Sequence, residues 1–309
     1  MSGPPQATAA VRVAVRRALV GVAEPVSAAV SGGADSLALA AALAFERPGS
    51  GAVIVDHRLQ AGSDEVAAKA AAQCIALGLA ARVLTAFAED RPCPDTVDLP
   101  RIGGDARAGG PEAAARALRY ALLDQVEGVV LLGHTRDDQA ESVLLGLVRG
   151  SGARAMSGMA PVRGHYRRPL LDVGRQTTRQ ACREAGLEPW EDPHNDDSSY
   201  TRVKVRKLLA GLDLTDGLAR SARLLREDAD ALDDLANPDS DVGRLEALPP
   251  ALRSRSLKLW AEQQCDQALT SAHVDALRAL IDDWHGQGPV ALPGGGRVAR
   301  VEGRLAFSP

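Results

Sequence analysis

The sequence predicts an α/β fold, with a mostly parallel, doubly wound sheet that is followed by a small, mainly helical C-terminal domain. Short β-like runs alternate with alanine-rich helical runs from Pro25 to about residue 148, a pattern typical of a parallel sheet with helices on both faces. Past about residue 213 the apolar residues recur every three or four positions, which indicates helices. We therefore predict two domains, 1–212 and 213–309.

The strands are predicted from four short apolar runs, PVSAAVS, AVIVDH, ARVLTAF and VVLLGH. The helical runs between and after them are LALAAALAF, DEVAAKAAAQCIALG, PEAAARALRYALLDQ and DDQAESVLLGLV. Residues 93–111 are rich in Pro and Gly and break the alternation, which predicts a mobile loop at the ligand-binding edge of the sheet. The chain ends in two alternating runs around a Pro-Gly turn, which predicts a closing β-hairpin.

Composition limits the function classes. The net charge of −4 excludes a global attraction to nucleic acid, so a polyanion must be bound by a local patch. Such a basic patch lies between Arg149 and Leu171, where no acidic residue occurs. The four cysteines form no Cys-x-x-Cys pair, so neither a zinc knuckle nor a disulfide framework is indicated, and we expect a cytoplasmic protein. We expect no membrane association, because no apolar run approaches bilayer length.

A glycine loop with the sequence SGGADS follows the first predicted strand and opens a helix. Glycines let the backbone approach a ligand closely, and the free amides at a helix N-terminus favour an anion. The loop therefore predicts a phosphate site, and its acidic residue suits a magnesium ion or a cationic substrate. The alternative is an ordinary strand-to-helix turn with serine as its cap.

An acidic cluster follows the fourth predicted strand, in GHTRDDQAESVLLGLV at 133–148. His134, Asp137, Asp138 and Glu141 fall on one face of the predicted helix. Carboxylates concentrated at the carboxyl end of a strand can hold Mg²⁺ or receive the ammonium group of a substrate. The alternative is a solvated acidic face.

The string SGGxDS resembles the pyrophosphate loop (PP-loop) of the N-type ATP pyrophosphatases, whose fold is adenine nucleotide alpha hydrolase-like. GHxxDDQAE, together with VDHRLQAGSDE, EAAARALRY and WEDPHNDDSSYTRVKVRKLL, is similar to the tRNA(Ile)-lysidine synthetase branch of that superfamily. The resemblance covers roughly residues 25–210. Val203 stands where the family usually has Asn, so a hydrogen bond from that side-chain amide is absent here.

The resemblance implies an ATP-dependent ligase that converts the wobble cytidine of tRNA(Ile) with a CAU anticodon to lysidine. ATP adenylates the C2 oxygen of the base and releases pyrophosphate, then L-lysine attacks the ring carbon and AMP departs. ATP and Mg²⁺ are the implied cofactors. The sequence leaves the oligomeric state open, with a homodimer as one alternative.

The same resemblance assigns roles to particular residues. The ATP-binding set is Ser31, Gly32, Gly33, Ala34, Asp35, Ser36 and His57. The catalytic set is Asp35, His134, Asp137, Glu141, Arg116, Arg202 and Arg206, in which the arginines neutralise phosphate charge and Asp137 and Glu141 hold lysine or metal. We expect Asp35 and Asp138 near the metal. The tRNA-binding set is Arg149, Arg154, Arg163, Arg167, Arg168, Lys204 and Lys207, with Tyr166 as a base-stacking candidate and further contacts from the helical domain.

Three other functions stay open at this point. A tRNA 2-thiolation enzyme of the same superfamily would need a catalytic cysteine pair or iron-sulfur ligands, and the scattered cysteines argue against it. An amide-forming or NAD-forming synthetase would use the same loop on a small molecule. A non-catalytic tRNA-binding or nucleotide-binding protein would not need crowded carboxylates.

Overall fold

The computed structural model describes residues 3–56, 58, 62–85, 110–191 and 201–309, with only the backbone described at 110–115, 201–203 and 210. It divides the chain into two compact units, Met1–Arg223 and Leu224–Pro309, which we call the first and the second unit. The domain boundary predicted after residue 212 falls within the first unit and stays a prediction.

The first unit is built on a six-stranded sheet with the order β3-β2-β1-β4-β6-β5 among the described residues. The strands are β1 (Val26–Val30), β2 (Gly51–Asp56), β3 (Ala80–Thr85), β4 (Val129–Leu132), β5 (Val162–Arg163) and β6 (Tyr166–Arg167). Every neighbouring pair is parallel except β5 with β6, which is antiparallel. In the central strand β1 and in β4, apolar residues are buried almost continuously, as expected for a sheet covered on both faces.

Helices flank this sheet, and those between β1 and β4 follow the alternating order that the sequence predicts. They are α1 (Gln6–Ala18), α2 (Ala34–Glu46), α3 (Ser63–Ala76), α4 (Gly110–Leu123), α5 (Arg136–Val148), α6 (Ala153–Met156), α7 (Arg175–Glu184), α8 (Thr201–Leu212) and α9 (Thr215–Leu235), the last of which extends into the second unit. The α2 side chains Leu37, Leu39 and Leu43 are fully buried in the main core beside Val30 and Ile54. The predicted α/β class is confirmed.

Four elements of the first unit are not predicted from the sequence. Strands β5 and β6 and the single-turn helix α6 lie in a segment predicted to be a loop, and α7 has no counterpart among the predicted helices. Helix α7 is strongly polar and buries mainly Thr178, Ala181 and Cys182, so its sequence carries almost no apolar periodicity. It is held by packing against α1 and α2.

The second unit combines helices with a small antiparallel sheet. Its further elements are α10 (Val242–Ala247), α11 (Pro250–Cys265), α12 (Ser271–Asp282), β7 (Val290–Ala291), β8 (Arg297–Val301) and β9 (Arg304–Ser308). β8 pairs with β9 through a two-residue turn at Glu302 and Gly303, both with positive φ, and β7 pairs with β8. A separate core of this unit includes Leu257, Leu277 and Leu280. In the part of the chain that the structure describes, no helix is both long and apolar enough to span a bilayer.

Candidate active site

The candidate site lies where the strand order of the sheet changes direction. β1 has β2 on one side and β4 on the other, and the chain leaves β1 and β4 at the same edge because the two strands are parallel. In such sheets ligands bind beyond the carboxyl ends of the strands at this switch point. The loop after β1 contains Ser31 to Gly33, and the loop after β4 contains Gly133 to Thr135.

The glycine loop presents the N-terminus of α2. Gly32 has φ +85°, in the left-handed region that favours glycine, and Gly33 is the N-cap residue of α2 without any side-chain cap. The amides of the first turn, at Ala34, Asp35 and Ser36, are therefore not used by the helix itself. Such an uncapped N-terminus fits the oxygens of a phosphate group.

Ser36 holds the loop together. Its hydroxyl is buried, donates to the Gly33 carbonyl oxygen at 2.9 Å and accepts from the Ser31 amide at 3.2 Å. Because the Ser36 proton is used inside the loop, a phosphate contact from this hydroxyl would require that bond to break. The Trp190 amide donates to the Gly32 carbonyl at 2.9 Å and fixes the other side of the loop.

Gly133 brings the two loops into close contact. A Cβ atom at this position would lie 3.2 Å from Ser36 Cα and 3.3 Å from Ser36 N. A larger residue would push β4 and the start of α2 apart. Glycine at position 133 therefore lets the acidic residues of α5 lie directly beside the glycine loop.

Arg175, at the start of α7, contacts carboxylates of both α2 and α5. Its Nη2 lies 2.6 Å from Asp138 Oδ1, its Nη1 lies 3.1 Å from Glu141 Oε1, and its Nε lies 3.6 Å from Asp35 Oδ2. The Arg175 backbone amide donates to Asp137 Oδ2 at 2.7 Å. Sequence reasoning predicted these carboxylates but missed the arginine that they share.

Two further contacts extend this network. The Thr178 hydroxyl, also on α7, donates to Asp35 Oδ1. Arg206 of α8 donates from Nε to Glu141 Oε1 at 2.9 Å. Direct contacts thus connect α2, α5, α7 and α8. We call Asp35, Asp137, Asp138, Glu141, Arg175 and Arg206 the acidic network.

The electrostatics of the network follow from burial and from its charge balance. Burial raises the pKa of Asp35, against the opposing effects of the Thr178 hydrogen bond and of Arg175. Burial alone would lower the pKa of Arg175, but the surrounding carboxylates outweigh it and raise that pKa. The network contains four carboxylates and two guanidinium groups, so it favours an additional cation.

His134 is held as a neutral imidazole next to the network. Burial, together with the nearby positive charges of Arg168, Arg116 and Arg119, lowers the pKa of His134 to about 4, although Asp138 opposes the shift. Its Nδ1 atom is buried and has no hydrogen-bond partner among the described residues. A group with this pKa is a weak base, so the position suits hydrogen bonding better than proton abstraction.

Asp138 is fully engaged within the protein. Its Oδ2 accepts from the Thr135 amide at 2.7 Å and from the Thr135 hydroxyl at 2.9 Å, which caps α5, and its Oδ1 binds Arg175. Both carboxylate oxygens of Asp138 thus accept from protein donors, and the metal role predicted for Asp138 stays a prediction. Within the described ranges, no three His, Cys, Asp or Glu side chains are grouped closely enough to hold a metal ion.

Asp35 still fits a magnesium ion that is shared with a nucleotide. Mg²⁺ usually takes only one or two carboxylates and completes its shell with phosphates and water. Asp35 lies in the first turn of α2, among the amides that suit phosphate, and its side chain is partly exposed. One carboxylate at this place satisfies that pattern.

Other predicted site residues lie at varied positions. Arg116 of α4 is exposed, with its guanidinium carbon 5.1 Å from the Tyr120 ring centre, and its charge acts on His134. His57 lies outside the described residues, and Arg202 belongs to α8 with only its backbone described. The motif residues between 192 and 200 also lie outside the described residues.

The predicted tRNA-binding residues divide into exposed and enclosed positions. Arg149, Arg163, Lys204 and Lys207 are exposed, whereas Arg154 and Arg167 are half-buried. Arg168 is buried and donates from Nη1 to the Ala160 carbonyl at 2.8 Å. Arg168 therefore does not lie on the surface, and its charge acts on His134, while its role in tRNA binding stays a prediction.

Tyr166 also requires a correction. The sequence suggested that this side chain stacks on an RNA base, but the ring is buried and packs edge-to-face on Tyr120 at 5.3 Å between centroids. Its hydroxyl donates to Asp124 Oδ1 at 2.5 Å. Tyr166 lies in a strand of only two residues, so no alternation of apolar and polar residues could indicate its role in the core.

Comparison with known proteins identifies the family. Residues 13–212 match the profile of the PP-loop domain, and residues 241–306 match that of the TilS substrate binding domain. The tRNA(Ile)-lysidine synthase of Thermobifida fusca is 46% identical, with 100% of this chain and 99% of the relative covered. That of Leifsonia xyli subsp. xyli is 47% identical, covering 91% of this chain and 88% of the relative.

A solved structure supports the fold alone. The U34-tRNA thiolase NcsA from Methanococcus maripaludis, with its [4Fe-4S] cluster, superposes with a TM-score of 0.56 at 18% identity, covering 72% of this chain and 79% of the thiolase chain. The relatives, by contrast, match over nearly their full length. This chain belongs to the tRNA(Ile)-lysidine synthase family.

Proposed function

We propose that this chain ligates L-lysine to C2 of the wobble cytidine of tRNA(Ile) with a CAU anticodon, in an ATP-dependent reaction that forms lysidine. Family membership supports the ligase activity, the use of ATP and tRNA(Ile) as substrate. The observation that carries the proposal is the position of the acidic network beside the uncapped N-terminus of α2. One site then accommodates both a triphosphate and an amine.

In the first step, the C2 oxygen of the cytidine attacks the α-phosphorus of ATP. The bond between this phosphorus and the bridging oxygen breaks, and pyrophosphate leaves. The amides of Ala34, Asp35 and Ser36 face the phosphate oxygens and stabilise the charge that develops on them. Mg²⁺, when bound at Asp35, would supply further neutralisation of that charge. Arg116 and Arg202 are proposed to act on the same phosphates.

In the second step, the lysine ε-amine attacks C2, the bond between C2 and oxygen breaks, and AMP leaves. The amine is an ammonium ion at neutral pH, with a usual pKa of about 10.4, and it must lose a proton before attack. We assign ammonium binding to Asp137 and Glu141, and one of these carboxylates receives the proton. With its pKa lowered to about 4, His134 is no stronger a base than an ordinary carboxylate, so we assign it a positioning role by hydrogen bonding.

The thiolation alternative is not favoured by the cysteines that the structure describes. Burial raises the pKa of the Cys74 and Cys182 thiols to about 11, so neither is a ready nucleophile at neutral pH. Cys265 lies in the second unit, and Cys93 lies outside the described residues. A catalytic cysteine pair is therefore not seen among the described residues.

Binding of the tRNA is assigned to the exposed basic residues Arg149, Arg163, Lys204 and Lys207, with the second unit as a further contact. The match of residues 241–306 to a substrate binding domain supports the latter. A cytoplasmic location and a homodimer are proposed with the same function.

The test is incubation of the protein with ATP, labelled L-lysine and a transcript of tRNA(Ile) with a CAU anticodon. We expect label in the RNA that depends on ATP and is recovered as lysidine after nuclease digestion. A matched transcript with uridine at the wobble position should stay unlabelled. Lack of label in the cytidine transcript, with pyrophosphate released to another acceptor, would contradict the proposal.

A further inference from the structure

The first turn of α7 contacts every carboxylate of the acidic network. The Arg175 side chain contacts Asp138, Glu141 and Asp35, its backbone amide donates to Asp137, and Thr178 donates to Asp35. The Arg175 side chain is only 16% exposed. One turn of α7 thus contacts side chains of both α2 and α5, two helices that follow different strands of the sheet.

The placement of Arg175 runs against the helix dipole. Gly174 is the N-cap of α7, so Arg175 occupies the first helical position, where a positive charge is disfavoured and a carboxylate is favoured. Surrounding carboxylates reverse this preference for the side chain, while the backbone amide binds Asp137. An arginine here is therefore stabilised by the network and depends on it.

We propose that Arg175 is a positioning residue for the lysine-transfer step. This inference rests on the proposed function. Arg175 and Arg206 both donate to Oε1 of Glu141, and we assign the other oxygen, Oε2, which accepts from no donor among the described residues, to the substrate ammonium. By fixing Glu141 and Asp138 with a planar fork, Arg175 sets the direction of that acceptor without contacting the reacting atoms.

A purely structural role for Arg175 predicts a different outcome. The four carboxylates around Arg175 repel one another, and any positive charge at this place would reduce the repulsion. A lysine would supply that charge, but its ammonium is a single point and does not reproduce a fork that spans Asp138 and Glu141. Arg175→Lys therefore separates charge from geometry.

The experiment measures the two steps separately in Arg175→Lys and Arg175→Gln. Single-turnover pyrophosphate release without lysine reports the first step, and the KM for lysine in the complete reaction reports the second. Arg16→Gln is the matched control, because Arg16 is exposed and forms a two-bond ion pair with Glu46, at 2.7 and 2.9 Å, that involves no residue of the acidic network.

For Arg175→Lys we expect pyrophosphate release within about threefold of the unmodified protein and a KM for lysine roughly tenfold higher, the effect of one charged hydrogen bond. Arg175→Gln should lower kcat/KM for lysine by roughly 100-fold, as two such bonds are weakened. Arg16→Gln should match the unmodified protein in both measurements.

An unchanged KM for lysine in Arg175→Lys, or an equal loss in both steps, would overturn the positioning role. If Arg175→Gln does not fold, the Arg175→Lys result decides alone. Failure of the unmodified protein to attach lysine in the same assay would instead contradict the proposed function, so the two failures are distinguishable.

Discussion

Replacing His134 with glutamine is expected to change how the stability of the first unit depends on pH. In the folded protein, burial and nearby arginines lower the pKa of His134 from 6.5 to about 4. The unfolded chain therefore takes up a proton at a pH where the folded protein does not. The contribution of neutral His134 to the free energy of unfolding is fully present above pH 6.5. It is lost progressively as the pH falls from 6.5 to 4 and changes no further below that.

The size of the effect follows from the pKa shift. Lowering the pKa from 6.5 to about 4 corresponds to roughly 3 kcal/mol in the free energy of unfolding, at about 1.4 kcal/mol for each pKa unit. Glutamine is close in size, forms hydrogen bonds and does not titrate in this range. As the pH falls from 7 to 4, the free energy of unfolding of the unmodified protein should therefore decrease by roughly 3 kcal/mol more than that of His134→Gln.

The assay is urea unfolding at several pH values, followed by tryptophan fluorescence. Trp190 is in the first unit, whereas Trp260 and Trp284 are in the second, so both are replaced by phenylalanine in every protein compared. Trp190 then reports unfolding of the first unit alone. Equal pH dependence in the two proteins would show that His134 titrates normally, and would refute the reasoning that makes it a neutral, positioning group.

Three further substitutions test other parts of the site. Asp35→Asn should abolish pyrophosphate release yet raise the melting temperature at neutral pH. Burial raises the pKa of Asp35, so at a pH above the usual carboxylate pKa its ionised form lowers the folding stability, and asparagine removes this cost. A lower melting temperature would contradict this reasoning. Glu141→Gln should cost about 3 kcal/mol in the free energy of unfolding and reduce lysine transfer, since Arg175 and Arg206 lose a shared buried charge; unchanged urea unfolding would contradict it. Gly32→Ala should cost about 1–2 kcal/mol, because φ is +85°, and should weaken ATP binding in a titration; an unchanged affinity for ATP would contradict the role of the loop.

Much of the first unit could be predicted because its local signals agree with its final structure. The runs at β1, β2 and β4 are short and apolar, and each is followed by a turn residue or a polar segment. Helix α7 lacked such a signal, because it is stabilised by packing against α1 and α2 rather than by an apolar stripe of its own. The two-residue strands β5 and β6 are too short for periodicity to be read.

The acidic half of the site was visible in the sequence, whereas its counterion was not. Asp137, Asp138 and Glu141 lie within one short motif, but Arg175 lies more than thirty residues away, and nothing in the spacing connects it to them. One signal could have found it. An arginine directly after Gly174, at the start of a helix, opposes the helix dipole and so indicates acidic partners.

Burial also bears on two residues that the sequence assigns to metal binding and to tRNA binding. Asp138 caps α5 and binds Arg175, so its oxygens are used inside the protein. Arg168 turns inward and contributes to the low pKa of His134. Burial decides both cases, and burial depends on contacts between distant segments that a single sequence does not reveal.

We propose that this site activates the C2 oxygen of cytidine by adenylation before lysine replaces it. The most direct measurement uses a tRNA(Ile) transcript that carries heavy oxygen at C2 of the wobble cytidine, incubated with the protein, ATP and L-lysine. If the C2 oxygen is adenylated, the AMP released contains the heavy oxygen, as read by mass spectrometry. AMP without it, with the label retained in the lysine-modified RNA or lost to water, would contradict adenylation at this oxygen.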